Sequence, residues 1–207
     1  MLQEIKEIIT LQKREIESKL REIYIERNQD LKLDNDLIKV IIGPRRAGKS
    51  FFALHFLNKK GNFGYVNFDD EKLTEVDNYD EIVTAANSIY DNPKFILFDE
   101  IQNLPKWELF ANRLQRQGYK LIITGSNSNL LSRELATHLT GRHLLTNIFP
   151  FSFKEYLKLE DKEPTITETK ERLSRYLLNG GYPEILLKKV ESKEYLLLLF
   201  NSILYKD

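Results

Sequence analysis

At 207 residues the chain is long enough for one full core with a small appended lobe, and 42% hydrophobic with 30% charged residues describes a folded globular protein, not a disordered one. It has no cysteine, which excludes disulfides and thiolate metal sites. Its 31 Lys plus Arg balance 31 Asp plus Glu, so nucleic acid is an open partner that net charge does not indicate.

The start, MLQEIKEIIT, carries charges among its apolar positions and is not a signal peptide, and no stretch reaches the roughly 18 apolar residues of a membrane span. A cytoplasmic location is expected. Leu2, Ile5, Ile9, Ile16, Leu20 and Ile23 recur at helical spacing and predict an amphipathic helix within residues 1–30. Its stripe is expected to pack on the main domain, with partner docking as the alternative.

From Leu37 the period changes. Short apolar runs at 38–42 (IKVII), 65–68 (YVNF), 95–98 (FILF), 121–124 (LIIT) and 143–149 (HLLTNIF) alternate with the helical patterns FFALHFLNKK, YDEIVTAANSIY, WELFANRLQRQ and NLLSRELATHL. Strands alternating with helices imply a parallel sheet, because parallel neighbours need crossover connections. The fold class expected is α/β, with a core over 31–150. After Pro150 the strands stop, and FSFKEYL, TETKERLSRYLLN and EYLLLLFNSILY predict a second, helical lobe over 151–207. The chain ends at Asp207 straight after an apolar helix with no Gly or Pro stop signal, and a truncated C-terminus is expected.

Between the first strand and the first following helix, Gly43, Gly48, Lys49 and Ser50 satisfy G-x-x-x-x-G-K-[ST]. Glycines let backbone N–H groups approach phosphate oxygens, and a helix opening near Ser50 aims its positive end at the anion. Lys49 supplies a point charge to the β and γ phosphates and the Ser50 hydroxyl a ligand for Mg²⁺. Chance gives on the order of one such match per hundred chains of this length, and its place between a strand and a helix makes an accidental surface turn rarer still. The candidate ATP-binding set is therefore Gly43, Pro44, Arg45, Arg46, Ala47, Gly48, Lys49, Ser50 and Phe51, although the Arg45 and Arg46 side chains are expected to point to solvent. FILFDE ends a strand in two carboxylates, at the sheet edge where open α/β folds bind ligands. Asp99 is the second candidate Mg²⁺ ligand and Glu100 the candidate activator of an attacking water. His55, His138 and His143 lack metal-site spacing and are expected to be structural. Trp107 is expected to anchor the core.

GPRRAGKS, FDEIQNLPKW, TGSNSNLLSRELATHLTGR, PFSFKEYL and GGYPE together resemble the AAA+ superfamily of P-loop ATPases, in particular its archaeal-type group related to the STAND NTPases. The resemblance spans most of residues 38–190. It implies a five-stranded parallel sheet of order 5-1-4-3-2 and a helical lid. It also implies a γ-phosphate sensor among Thr124, Ser126 and Asn127, where a helix N-cap is an equally good reading. Asn67 would restrain the catalytic glutamate, and Arg142, with Arg133 the weaker candidate, would reach a neighbouring subunit's nucleotide; a surface ion pair is the alternative. Pro183 of GGYP would contact the adenine region, while Gly180 and Gly181 end the preceding helix. No arginine opens the helix after GGYP, so a second sensor arginine is not expected.

Three functions compete. The first is an Mg²⁺-dependent ATPase that drives a conformational change in a protein partner, a homo-oligomer or a further C-terminal domain. The second is a slow switch binding ATP or ADP. The third, a phosphotransferase, fits the TGSN segment poorly. FDEIQ is also similar to the acidic motif of helicases, but 207 residues leave no room for a second motor domain.

Overall fold

A computed structural model of the chain describes residues 1–125, 139, 141–159, 163–188 and 190–206, with side chains through 202. Five apolar runs form strands: β1 Ile38–Ile42, β2 Phe63–Asn67, β3 Phe95–Asp99, β4 Lys120–Thr124 and β5 His143–Asn147. Every neighbouring pair is parallel, in the order β2-β3-β4-β1-β5. This is the expected 5-1-4-3-2 sheet. β1 and β3 are buried along their whole length, as strands covered on both faces must be. Lys39 is the polar exception in β1, and its amine is satisfied by Asn35 and by the Leu37 carbonyl.

The helices of the core region are α1 Leu2–Lys19, α2 Lys49–Asn58, α3 Glu71–Thr74, α4 Asp80–Tyr90 and α5 Trp107–Arg116. The one-turn α3 had no periodic signal in the sequence; it forms because the Asp70 carboxylate caps Lys72 N at 3.1 Å. α1 packs on β2 and α4 through Ile5, Ile8, Ile9 and Ile16, as its stripe predicts. Gln12, on the same face, pairs its carboxamide with both backbone groups of Asn67, donating to the carbonyl at 2.9 Å and accepting from N–H at 3.0 Å. The open edge of β2 is thereby covered. α1 stops at Lys19, however, and Ile23, which the period would put on the stripe, is 74% exposed.

Trp107, Tyr65, Phe52, Phe68 and Phe98 are the largest side chains of the core. After β5, four helices form the lobe: α6 Phe153–Leu157, α7 Ile166–Asn179, α8 Pro183–Lys188 and α9 Ser192–Lys206. Capping boxes at Ser152/Glu155 and Thr165/Glu168 start α6 and α7, and Gly180 at φ 71° ends α7. Residues 126–138, which include Ser126, Asn127, Arg133, His138 and all of the NLLSRELATHL pattern except Leu139, lie outside the described residues.

Parallel strands have one functional consequence. The chain leaves β1, β3 and β4 at the same edge of the sheet, which gathers Gly43, Asp99 and Thr124. Arg142 immediately precedes β5 and sits at the opposite edge, where its carbonyl accepts from Ile38 N–H at 3.0 Å.

Candidate functional site

The turn after β1 is forced by close backbone approach. Gly43 has φ 149°, and a Cβ there would lie 1.9 Å from the Ile148 carbonyl oxygen, which belongs to the chain leaving β5. Gly48 is the left-handed N-cap of α2, with φ 91° and no side-chain cap, so the first N–H groups of α2 face the loop without side-chain competition. Lys49 is only 4% exposed, and its ammonium donates to the carbonyls of Gly43 and Pro44, both at 3.1 Å. Pro44 and Ala47 complete the turn through Ala47 N to Pro44 O at 3.2 Å.

Ser50 Oγ donates to Asp99 Oδ1 at 2.7 Å, so the loop hydroxyl and the first carboxylate of the acidic pair are in contact. Asp99 is buried, and it also accepts from Thr124 Oγ1 on Oδ1 and from Tyr65 OH, 2.9 Å from Oδ2. Burial pushes the Asp99 carboxyl up from its ordinary value, against the pull of the Thr124 and Ser50 hydrogen bonds. Tyr65 is raised well above its ordinary value by burial first and by the Asp99 charge second. A serine hydroxyl beside a carboxylate is a hard-oxygen donor pair of the kind Mg²⁺ takes, so Ser50 and Asp99 fit that ion. Among the described residues there is no cluster of three His, Cys, Asp or Glu that would hold a metal by side chains alone.

Glu100 follows in a left-handed conformation, φ 50°, a conformation that costs a non-glycine residue about 1–3 kcal/mol. Its N–H donates to Thr124 Oγ1 at 3.2 Å and its carboxylate accepts from Gln102 Nε2 at 2.6 Å. Thr124 thus ties β4 to both acidic residues at once. Asn67 lies beside Asp99 in register, but its side-chain oxygen is bonded to Asp69 N at 3.1 Å.

A cleft of about 540 Å³ opens from this edge. Gly48, Lys49, Ser50, Phe51 and Glu100 line one side, and Pro183 and Leu187 of the lobe another. Pro183 comes within 3.7 Å of where a Gly48 Cβ would stand. The third wall, residues 21–25 with Arg27, went unrecognised in the sequence because it has no periodicity. There Tyr24 stacks on His55 at 4.0 Å and 4°, and Phe51 lies 5.6 Å from the same ring. His55 is held below its ordinary pKa mainly by burial, which suits an aromatic partner. His143 is bonded to Leu139 O at 2.9 Å.

Arg27 joins the three parts. It is buried, donates to Glu155 at 3.0 Å, to Ala47 O of the loop at 3.1 Å and to Phe149 O, and lies 4.8 Å from the Phe151 ring. Burial alone would raise Glu155, but hydrogen bonds from the Ser152 and Asn28 backbone and the Arg27 guanidinium hold it below the ordinary carboxylate value. Arg45 is exposed. Arg46 is exposed, as expected, and also pairs with Glu184 of α8 at 2.6 Å, while Tyr195 of α9 donates to the same carboxylate oxygen at 2.5 Å.

Seen from its own chain, Arg142 is remote from this cleft: it is exposed at the far edge of the sheet. Among sensor candidates, Thr124 is in the site, and Ser126 and Asn127 lie outside the described residues.

Comparison with known proteins places these features in context. A family model described as an AAA domain matches residues 35–157. An uncharacterized protein of Methanocaldococcus jannaschii is 42% identical over 200 residues, covering 88% of this chain and 44% of its own length. One of Haemophilus influenzae is 33% identical over 199 residues, covering 90% and 50%. The chain therefore spans about half the length of these relatives. Among solved structures, a Walker-type ATPase of Pyrococcus abyssi shares the fold with a TM-score of 0.50 at 16% identity, over 85% of this chain and 65% of that one. Family and fold together support nucleotide binding and hydrolysis in general.

Proposed function

Because the chain belongs to the AAA-domain family, we propose that it is an Mg²⁺-dependent ATPase whose helical lobe follows the state of the nucleotide and passes that movement to a partner. The observation that carries this reading is the contact of Ser50 with Asp99 at the mouth of a cleft that Lys49 and Glu100 also line.

The triphosphate would take the N–H groups of residues 43–50, and Lys49 would leave the Gly43 and Pro44 carbonyls for the β and γ phosphates. Mg²⁺ held by Ser50 and Asp99 would neutralise charge on the phosphate oxygens. Glu100 would orient a water in line with the γ-phosphorus and take its proton as the bond to the bridging oxygen breaks, releasing ADP and phosphate. The base would lie among Tyr24, Ile25, Phe51 and Pro183. Arg142 is too far from its own nucleotide to act there, so any contribution it makes to the developing charge comes from a second copy.

The lobe is coupled to the loop through Arg46–Glu184 and through Pro183 beside Gly48. A slow nucleotide switch is the second reading, favoured by the bond of Glu100 to Gln102, which engages Oε2 of the carboxylate. Phosphate release by the wild type and by Glu100→Gln, with nucleotide binding measured separately, tests both. The ATPase reading requires turnover that Glu100→Gln loses while binding persists. A wild type that binds ATP without releasing phosphate favours the switch, and one that binds no nucleotide defeats both.

A further inference from the structure

β2 puts a tyrosine where packing asks only for a phenylalanine. Tyr65 is 2% exposed, and Phe63 on the same face of β2 and Leu97, opposite Tyr65 in β3, are buried as well. A hydroxyl in such a place is costly unless bonded. Its bond is to Asp99 Oδ2 at 2.9 Å. Strand register explains the reach: Tyr65 stands opposite Leu97, so Asp99, two residues further along β3, is its diagonal neighbour on the same face of the sheet.

The χ2 torsion of an aspartate is broad and roughly two-fold, so no rotamer preference fixes the plane of the carboxylate. Outside donors must do it. Ser50 from α2 and Thr124 from β4 both use Oδ1, and Tyr65 is the donor to Oδ2. Without Tyr65 the two remaining side-chain bonds both fall on Oδ1, and resistance to rotation about Cβ–Cγ is weakened by the loss of the bond on Oδ2.

We propose that Tyr65 is a positioning residue for the acidic strand: it fixes the plane of the Asp99 carboxylate so that Oδ1 stays turned to Ser50, where a divalent cation is to be held. The inference rests on Ser50 and Asp99 being the cation pair. Tyr65 acts through Asp99 and touches neither nucleotide nor metal.

Binding of Mn²⁺, a paramagnetic stand-in for Mg²⁺, is titrated by electron paramagnetic resonance in the presence of a nonhydrolysable ATP analogue. For Tyr65→Phe the half-saturating Mn²⁺ rises about three- to tenfold, the worth of roughly one hydrogen bond, while affinity for the analogue in EDTA stays at the wild-type value. Placing 4-aminophenylalanine at position 65, which keeps a donor there, restores most of the Mn²⁺ affinity. The inference is overturned by a Tyr65→Phe curve that superimposes on the wild type. Equal weakening with Mn²⁺ and in EDTA, which marks a merely structural role, also overturns it, as does failure of the amino-bearing replacement to rescue. A wild type whose analogue binding is indifferent to Mn²⁺ removes the cation pair itself, and this inference with it, a result distinguishable from the others because it appears before any substitution is made.

Discussion

The C-terminal edge of the sheet and the helical lobe are held by different means. At the edge, polar side chains are buried and doubly tied: Asp99 is bonded to three elements, and Thr124 to both acidic residues. The lobe docks through the buried pair Arg27–Glu155 and the exposed pair Arg46–Glu184, while Phe151 N to Gly181 O at 2.7 Å ties its own segments together. It also leaves large apolar side chains in solvent, Leu177 at 73% and Leu178 at 80% among them. Few buried contacts and exposed connections mark the parts of a protein that open at low free-energy cost. The contrast is between a tightly tied sheet edge and a lobe held by fewer buried contacts; on the proposed reading the chemistry belongs to the first and the movement to the second.

The largest expected effect confined to the edge is Glu100→Gln, which lowers the turnover of phosphate release by about 10²- to 10⁴-fold and leaves the melting curve and nucleotide affinity close to wild type. Next is the anchor of the lobe. Arg27→Met strands the buried Glu155 carboxylate, and chemical denaturation should show a loss of about 3–5 kcal/mol, whereas a loss below about 1 kcal/mol would mean that the lobe is held elsewhere. The same pair gives a pH signature. Glu155 has a folded pKa below its ordinary 4.5, so its stabilising contribution is present above that value and is lost as pH falls through the folded one. Thermal melts of Glu155→Gln between neutral and acid pH should therefore fall less steeply than those of the wild type.

Smaller is Gly181→Ala. A Cβ there would stand 2.1 Å from the Phe151 carbonyl oxygen, and backbone must give, at about 1–3 kcal/mol. Proteolysis should then cut the lobe faster while β1 to β4 stay protected from hydrogen exchange. The smallest effect is Arg46→Ala, an exposed pair worth about 0–1 kcal/mol and weakened by salt. Its readout is increased exchange in α8, with the exchange of β3 unchanged.

The two regions were also unequally legible in the sequence. Strands rich in Ile, Val, Leu and Phe, a glycine loop between strand and helix, and a carboxylate pair at a strand end are local patterns, and the sheet and its edge follow them. The lobe's helices were legible for the same reason, but its attachment was not. Arg27 and Glu155 lie 128 residues apart in sequence, and the Ser152/Glu155 capping box showed only half of what Glu155 does. Residues 21–25 and Arg27 line the cleft, and Tyr24 and Ile25 belong to no period or motif in the sequence. Arg46 is exposed as expected, but nothing near it in sequence announces its pairing with Glu184. The role of Asn67 toward Glu100 is what the family resemblance implies; the Asn67 backbone is bonded to Gln12 and its side-chain oxygen to Asp69 N.

The central claim is that the loop from Gly43 to Ser50 grips a triphosphate, and calorimetry of a nonhydrolysable ATP analogue with Mg²⁺ binding to wild type and to Lys49→Ala addresses it most directly. The account predicts binding to the wild type and a loss of at least about tenfold in the variant, the least expected when a charge-assisted contact disappears. Equal affinity for the two proteins would contradict it.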